Sequence, residues 1–511
     1  MNQVRAGAVL SFLLITITTF AGILYTPFLL RQLGQTEYGL YSLAASIIAY
    51  LVLFDLGFGA SITRFTAKFN AENQINKQYK MFGMFIILYS VISLIVAICG
   101  FFIVNNMASL MAANTDPVMV DRAKKIVFIL IGNLCVTFPM SVFGAVLNAY
   151  ERFVFVKTLG IIRFVLQIAI MIPLLLWGYK AVALAVLITV LNLLMLFANA
   201  VYCFAKIKIK IIFTGIDWKL LKEIGVFSFF IFLNAVMTNF HLTSGQFILG
   251  YCVGLNAAAL YAVALVFIKF YITLSAELPS VLLPKIVNIV VKDKSTKMLS
   301  ELFIKVGRLQ FYVISVMFAG FGIFGKKFIS FWAGADYENA YFIILIFMAA
   351  HLLPMIQNSA IEILKAQNRL FFRSISLFLF SVSGLVLAFW WSYRYGEIGC
   401  ALGIALSIFL GNGVLMNFYY WKKIGLNVAG FYKEISGLLL TIVLTTSGMA
   451  FCYWYFKMWE TWTMYLLGIA FFVTVTGGLY WFICMNEYEK GLFKELFNKF
   501  FFWKMKKVEN R

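Results

Sequence analysis

Gly34-Gln-Thr-Glu-Tyr-Gly-Leu-Tyr-Ser-Leu-Ala44 and Gly254-Leu-Asn-Ala-Ala-Ala-Leu-Tyr-Ala-Val-Ala264 carry one pattern 220 residues apart. Glycine, the Leu-Tyr pair, an aliphatic residue and alanine keep their spacing. A second pair, Leu147-Asn-Ala-Tyr-Glu-Arg-Phe153 and Leu364-Lys-Ala-Gln-Asn-Arg-Leu370, recurs at an offset of 217. Two echoes at nearly one offset indicate a duplicated unit, a construction common among transporters. The distance from Gly225 to Gly254 equals that from Arg5 to Gly34. The duplication therefore begins again near residue 225.

Composition says what kind of unit is duplicated. Hydrophobic residues make up 63% of the 511-residue chain and charged residues only 12%, about half the charged share of a soluble domain. Fourteen apolar stretches, from 8–30 to 462–484, approach the ~20 residues a helix needs to cross a bilayer. The expected fold is an all-α polytopic membrane protein with about 14 transmembrane helices. The repeat divides it into an N-terminal lobe (1–210, spans 1–6) and a C-terminal lobe (211–425, spans 7–12). Because six is even, both lobes enter from the same side, which makes the repeat parallel. Spans 13 and 14 (426–485) have no mates. In the tail (486–511), Phe493, Leu496, Phe497 and Phe500 share a helical face ringed by lysines, the pattern of a helix lying on the inner leaflet.

The net charge of +21 invites a nucleic-acid reading, which its distribution opposes. With a cytoplasmic N-terminus, 32 of the 42 Lys and Arg residues fall on that side, 9 on the other, and Lys269 inside a span. That is the positive-inside pattern; it places both termini in the cytoplasm and favours anionic headgroups. The first apolar segment is full length and lacks a convincing cleavage site, so it reads as span 1 and not as a removable signal. The seven cysteines form no Cys-x-x-Cys pair and read as small apolar residues.

Charges inside a bilayer are costly and mark function by default. Lys269 stands mid-span on a face with Ala262, Leu265, Thr273, Ala276 and Glu277. One reading is a cavity cation awaiting an anionic substrate; the other is a lysine that snorkels or pairs with a neighbouring helix. Asp55, in Leu53-Phe-Asp-Leu-Gly-Phe-Gly-Ala60, is followed by Arg64, and Glu277 is followed by Lys285. These repeated acid–base pairs are either cytoplasmic gate elements or ordinary end-of-helix charges. Gly57 and Gly59 permit close packing or bending beside Asp55. Asn234, Thr238, His241 and Gly245 form a polar stripe on span 7, and Thr16, Thr19 and Thr26 form one on span 1. Such stripes serve substrate contacts or interhelical seams. The only histidines, His241 and His351, lie on separate spans, so no metal site is expected. No phosphate loop, His-Glu-x-x-His motif or convergent catalytic cluster is present, which argues against an ATPase or a membrane enzyme of glycan assembly.

Leu29-Leu-Arg-Gln-Leu-Gly-Gln-Thr-Glu-Tyr-Gly-Leu-Tyr41 and Leu53-Phe-Asp-Leu-Gly-Phe-Gly-Ala-Ser-Ile-Thr-Arg-Phe65 resemble the bacterial oligosaccharide flippases of the polysaccharide transporter (Wzx-type) family. That family sits in the MOP flippase superfamily with MATE drug exporters and lipid II flippases. The resemblance implies two six-helix lobes in a V around a central cavity, working by alternating access without a cofactor. It implies a polyprenyl-pyrophosphate-linked oligosaccharide (an O-antigen, capsule or exopolysaccharide unit) moved from the cytoplasmic to the outer leaflet of the bacterial inner membrane. Cationic cavity residues are a family feature that Lys269 and Arg64 fit in kind. Two extra C-terminal helices resemble the lipid II flippase arrangement, where they help form a groove for the lipid tail. The substrate contacts expected here are Lys269, His241, Asn234, Thr238 and Thr273; the gate residues are Asp55, Arg64, Glu277 and Lys285. Expected partners are the undecaprenyl-pyrophosphate-type lipid-linked oligosaccharide, the phospholipid bilayer, a polysaccharide polymerase and glycosyltransferases. The alternative is a cation-coupled, MATE-like exporter of small amphipathic molecules, with Asp55 as its coupling acid.

Overall fold

A chain this apolar must satisfy its backbone N–H and C=O groups internally, and helices do so within each segment. The computed structural model describes residues 3–113, 115–213, 217–289, 295–367, 369–456 and 462–491. The chain runs through α1 (Gln3–Leu33), α2 (Gln35–Val52), α3 (Phe58–Ala71), α4 (Ile75–Asn105), α5 (Pro117–Ala149), α6 (Phe153–Leu176) and α7 (Ala181–Tyr202). There follow α8 (Trp218–Leu242), α9 (Ser244–Cys252), α10 (Leu255–Asn288), α11 (Thr296–Trp332), α12 (Ala340–Ile356), α13 (Asn358–Ala366) and α14 (Leu370–Ile408). The chain continues through α15 (Met416–Tyr419), α16 (Val428–Phe456) and α17 (Trp462–Leu479). Phe493, Leu496, Phe497 and Phe500 of the expected interfacial tail lie outside the described residues.

The matched glycines of the repeat do the same work. Gly34 (φ 76°) and Gly254 (φ 136°) each turn the chain immediately before a helix, in a backbone region that disfavours any side chain. At the other end of the second apolar stretch, where close packing or bending is expected, the helix breaks, and a Cβ on Gly57 would meet Ile231 and the Ser228 carbonyl. A tight turn at Leu53–Asp55, then Leu56 (φ 52°) and Gly57 (φ 77°), separates α2 from α3.

Eleven helical stretches among the described residues are long and apolar enough to cross a membrane, against the fourteen expected. The first and seventh expected spans run through side chains outside the described residues, and the eleventh and twelfth share one stretch. Leu370–Ile424 is one continuous helical stretch of 55 residues, yet Gly396 is non-helical within it (φ 56°, ψ −138°). There the chain folds back, so the stretch is two helices, and the expected spans 374–393 and 397–420 are its two arms. A Cβ on Gly403 would collide with the Ala388 backbone, and one on Gly384 with the Ser407 side chain. Small residues let the two arms meet closely, the usual means of helix association in lipid. The seventh expected span is divided at Thr243 between α8 and α9. Gly403→Val is expected to lower the stability of the detergent-purified protein by more than ~3 kcal/mol, since overpacking alone commonly costs 1–3. Gly448→Val, with no atom within 4 Å of its added Cβ, is the control in the same thermal melts.

Contacts divide the chain into two compact units. The first comprises Met1–Phe267, Ser330–Ile343 and Phe371–Ile408. Its core packs Leu40 and Leu43 of α2 with Phe82, Phe85 and Tyr89 of α4 and Leu130, Phe138 and Val142 of α5. The second comprises Ile268–Ile329, Ile344–Leu370 and Phe409–Arg511. There Gly307 admits the Phe431 ring and the Ile356 carbonyl, and Phe303 stacks on Phe431 at 4.5 Å between centroids. Large apolar side chains such as Phe101, Phe128, Leu444 and Phe482 are exposed. On a soluble protein these would mark an interface; on this multi-pass chain they are the surface that lipid requires.

Candidate functional site

Lys269 lies on α10, two residues after the chain passes from the first compact unit to the second. Its face begins with buried Ala262 and Leu265, but Lys269 itself is exposed and Thr273 half-buried. The Thr273 hydroxyl donates to the Lys269 carbonyl at 2.8 Å, one turn on. Among the described residues the Lys269 ammonium makes no ion pair, so the neighbour-pairing reading has no support there. Glu277, on the same helix, has its side chain outside the described residues, as does Lys285.

The stripe on α8 is resolved differently. Asn234 Nδ2 donates to Ser374 Oγ at 3.4 Å, and His241 Nε2 is 2.8 Å from Ser381 Oγ. Both serines stand on α14, seven residues apart as the stripe residues are. His241 is buried, and Tyr261 donates to its carbonyl at 3.5 Å. These two side chains form an interhelical seam. Thr238 is exposed, with its hydroxyl on the Asn234 carbonyl at 2.8 Å. Of the span 1 threonines, Thr26 donates to the Gly22 carbonyl at 2.7 Å; the side chains of Thr16 and Thr19 lie outside the described residues.

Asp55 sits half-buried in the break between α2 and α3, where its Oδ1 accepts from Tyr89 Oη at 2.6 Å. Arg64 is exposed on α3. Tyr89 was not legible as its partner, because nothing in sequence spacing connects positions on different helices.

Sequence reasoning also missed a polar line joining α2 and α3 to α8, α9 and α10. Thr36 donates to Asn256 Oδ1 at 3.1 Å, Tyr50 to Ser244 Oγ at 2.6 Å, and Ser61 Oγ lies 2.6 Å from Ser228 Oγ. Lys68 donates to Glu223 at 3.3 Å. The repeat held one clue: Thr36 and Asn256 are 220 residues apart, so each touches its own mate. Arg163, counted by its charge with the basic edge, sits ten residues into α6, half-buried, with Nη1 3.8 Å from Met195 Sδ.

A model of a family described as polysaccharide biosynthesis protein matches residues 4–287, more than half the chain. The chain belongs to the polysaccharide biosynthesis protein family. The match takes in both segments that carried the resemblance, the α8 stripe and Lys269. Among solved structures the fold is similar to the lipid II flippase MurJ in an inward closed conformation (TM-score 0.71, 16% identity, 93% of this chain and 98% of that one). It is also similar to an inward-facing multidrug-resistance MATE transporter of the MOP superfamily (TM-score 0.62, 14% identity, 80% and 98%). At such identities the likeness concerns the fold. A search of curated proteins returns no match. This family member is a multi-pass membrane protein related in fold to MurJ.

Proposed function

We propose that the protein is a flippase carrying a polyprenyl-pyrophosphate-linked oligosaccharide from the cytoplasmic to the outer leaflet of a bacterial inner membrane. The observation that carries the reading is a lysine without an ion-pair partner among the described residues, held mid-helix in a member of a polysaccharide biosynthesis family. A diphosphate entering hydrocarbon loses its hydration, and an ammonium in a protein-lined cavity replaces part of it. Lys269, with Thr273 one turn away, is the proposed contact. Fourteen spans, in two six-helix repeats followed by two appended helices, complete the proposed architecture, with both termini cytoplasmic. The touching repeat mates Thr36 and Asn256 support the duplication.

In the second compact unit, α16 and α17 enclose a groove of about 300 Å³ lined by Met449, Phe471, Phe472 and Leu479 among others. Its walls suit part of a polyprenyl chain. The inside-negative potential favours outward movement of the headgroup. At ~2.3 kcal/mol per charge per 100 mV, two uncompensated charges would gain roughly 4–5 kcal/mol.

The test is reconstitution. Proteoliposomes loaded with a fluorescent polyprenyl-pyrophosphate oligosaccharide should show its transfer between leaflets, read by a membrane-impermeant quencher, many times faster than protein-free liposomes. No acceleration, alongside ion-dependent uptake of a small cationic dye, would replace this reading with the MATE-like one.

A further inference from the structure

We propose that a cleft at the Lys- and Arg-rich end of the helices is a docking site for a lipid-borne phosphate, where the headgroup is first held before translocation. The proposal rests on the flippase reading for its cargo and on the following geometry for its location. The end of α3 and the first turns of α4 and α8, all within the first compact unit, enclose about 660 Å³. The charge asymmetry of the chain assigns this end to the cytoplasm, where a lipid-linked precursor is made.

Seven charged residues line the cleft, and not all are available to a ligand. Lys68 is held by Glu223 at 3.3 Å. Asp217 Oδ1 accepts the backbone N–H groups of Lys219 and Leu220, each at 3.1 Å. Its charge therefore answers the positive end of α8. What remains is Lys77, Lys80 and Lys219 against Glu72. All four are exposed, and among the described residues none has an ion-pair partner.

Lys77 and Lys80 are one turn apart on α4, so they share a face, and like charges so placed repel. Nothing within α4 offsets that repulsion; an anion lying between the two ammonium groups would. Beneath them the exposed edges of Phe69, Met81 and Met84, otherwise buried in the core, give the cleft an apolar floor. Cationic rim and apolar floor together match a phosphate headgroup attached to a hydrocarbon chain, and not a free sugar or a soluble anion.

Native mass spectrometry of the detergent-purified full-length protein, titrated separately with undecaprenyl pyrophosphate and with phosphatidylglycerol, tests this. A lysine near a lipid surface is commonly worth about fivefold in affinity, so K77Q/K80Q should weaken binding about 30-fold. Its melting temperature should stay at or slightly above the wild-type value, because among the described residues neither side chain has an ion-pair partner to lose and their mutual repulsion is relieved. Loss of undecaprenyl pyrophosphate alone identifies the site with the cargo; loss of both identifies it with lipid phosphates generally. Either upholds the proposal, and unchanged affinity for both overturns it. A wild-type protein that transports lipid-linked oligosaccharide, paired with a variant that binds normally, sinks the docking site and leaves the flippase standing. A wild-type protein that transports none, yet loses phosphatidylglycerol with Lys77 and Lys80, does the reverse.

Discussion

Lys269→Ala is expected to abolish surface polysaccharide and to strand lipid-linked precursor on the cytoplasmic leaflet, while the protein remains folded. A hydrogen bond to a charged partner contributes about 1.5–3 kcal/mol, so loss of this contact should slow transport by roughly 10- to 150-fold. Lys269→Arg should retain part of the rate, since charge is kept while the compact ammonium becomes a planar fork. Stability should move the other way from activity. A charged side chain at mid-membrane costs ~2.5–3.5 kcal/mol on insertion scales, and no described carboxylate offsets it here. The alanine variant should therefore melt at or above the wild-type temperature. Cells carrying it that display normal polysaccharide would remove Lys269 from the mechanism. A variant that loses folded protein would make the lysine a structural residue with a partner.

How much of this was legible in the chain depends on whether a feature is local. Gly34 and Gly254 are legible as matched positions of the repeat, and their positive φ is what the structure adds. Gly57 marked close packing or bending beside Asp55, and the structure makes it a break. The family was legible in Leu29–Tyr41 and Leu53–Phe65. Periodicity placed Asn234 and His241 on one face of α8, but a helical period says nothing of what faces it. That the facing residues are Ser374 and Ser381, 140 positions away in both cases, needed the fold. The stretches 374–393 and 397–420 are legible as separate spans because hydrophobic length is a local property, and in the structure they are the two arms of one hairpin at Gly396. Arg308 drew no attention at all. Its charge is one of many at the basic edge, and the acids that meet it stand 126 and 181 residues further on.

Arg308→Ala should cost the most stability of any single change considered, about 3–5 kcal/mol, the usual consequence of leaving a buried charge without its partner. All three guanidinium nitrogens are engaged. Nε and Nη2 donate to the two oxygens of Glu489 at 2.7 and 3.0 Å, and Nη2 also reaches the Cys484 carbonyl at 2.8 Å. Nη1 donates to the Glu434 carbonyl at 2.8 Å and to its carboxylate at 3.1 Å. One side chain on α11 thus ties together the start of α16, the end of the α17 segment and the chain beyond it. Glu489 is committed twice, because it also accepts the Asn486 N–H at 3.0 Å while Asn486 Oδ1 accepts the Glu489 N–H at 2.9 Å. That reciprocal pair is a capping box, which starts the following helical turn. Lysine cannot replace this planar fork, so Arg308→Lys should recover little. Burial pushes the Glu489 carboxyl up, but the hydrogen bonds from Arg308, Asn486 and Tyr312 outweigh it and hold the group below its ordinary range. A depressed carboxyl contributes stability above its unfolded value, near 4.3, and loses it as pH falls through the lower folded value. The gap in melting temperature between wild type and Glu489→Gln should therefore be constant from neutrality to about pH 5 and close at more acidic pH. A gap that persists unchanged to pH 3 would mean that the neutral amide disturbs packing, and that the ion pair is not what anchors the last two helices.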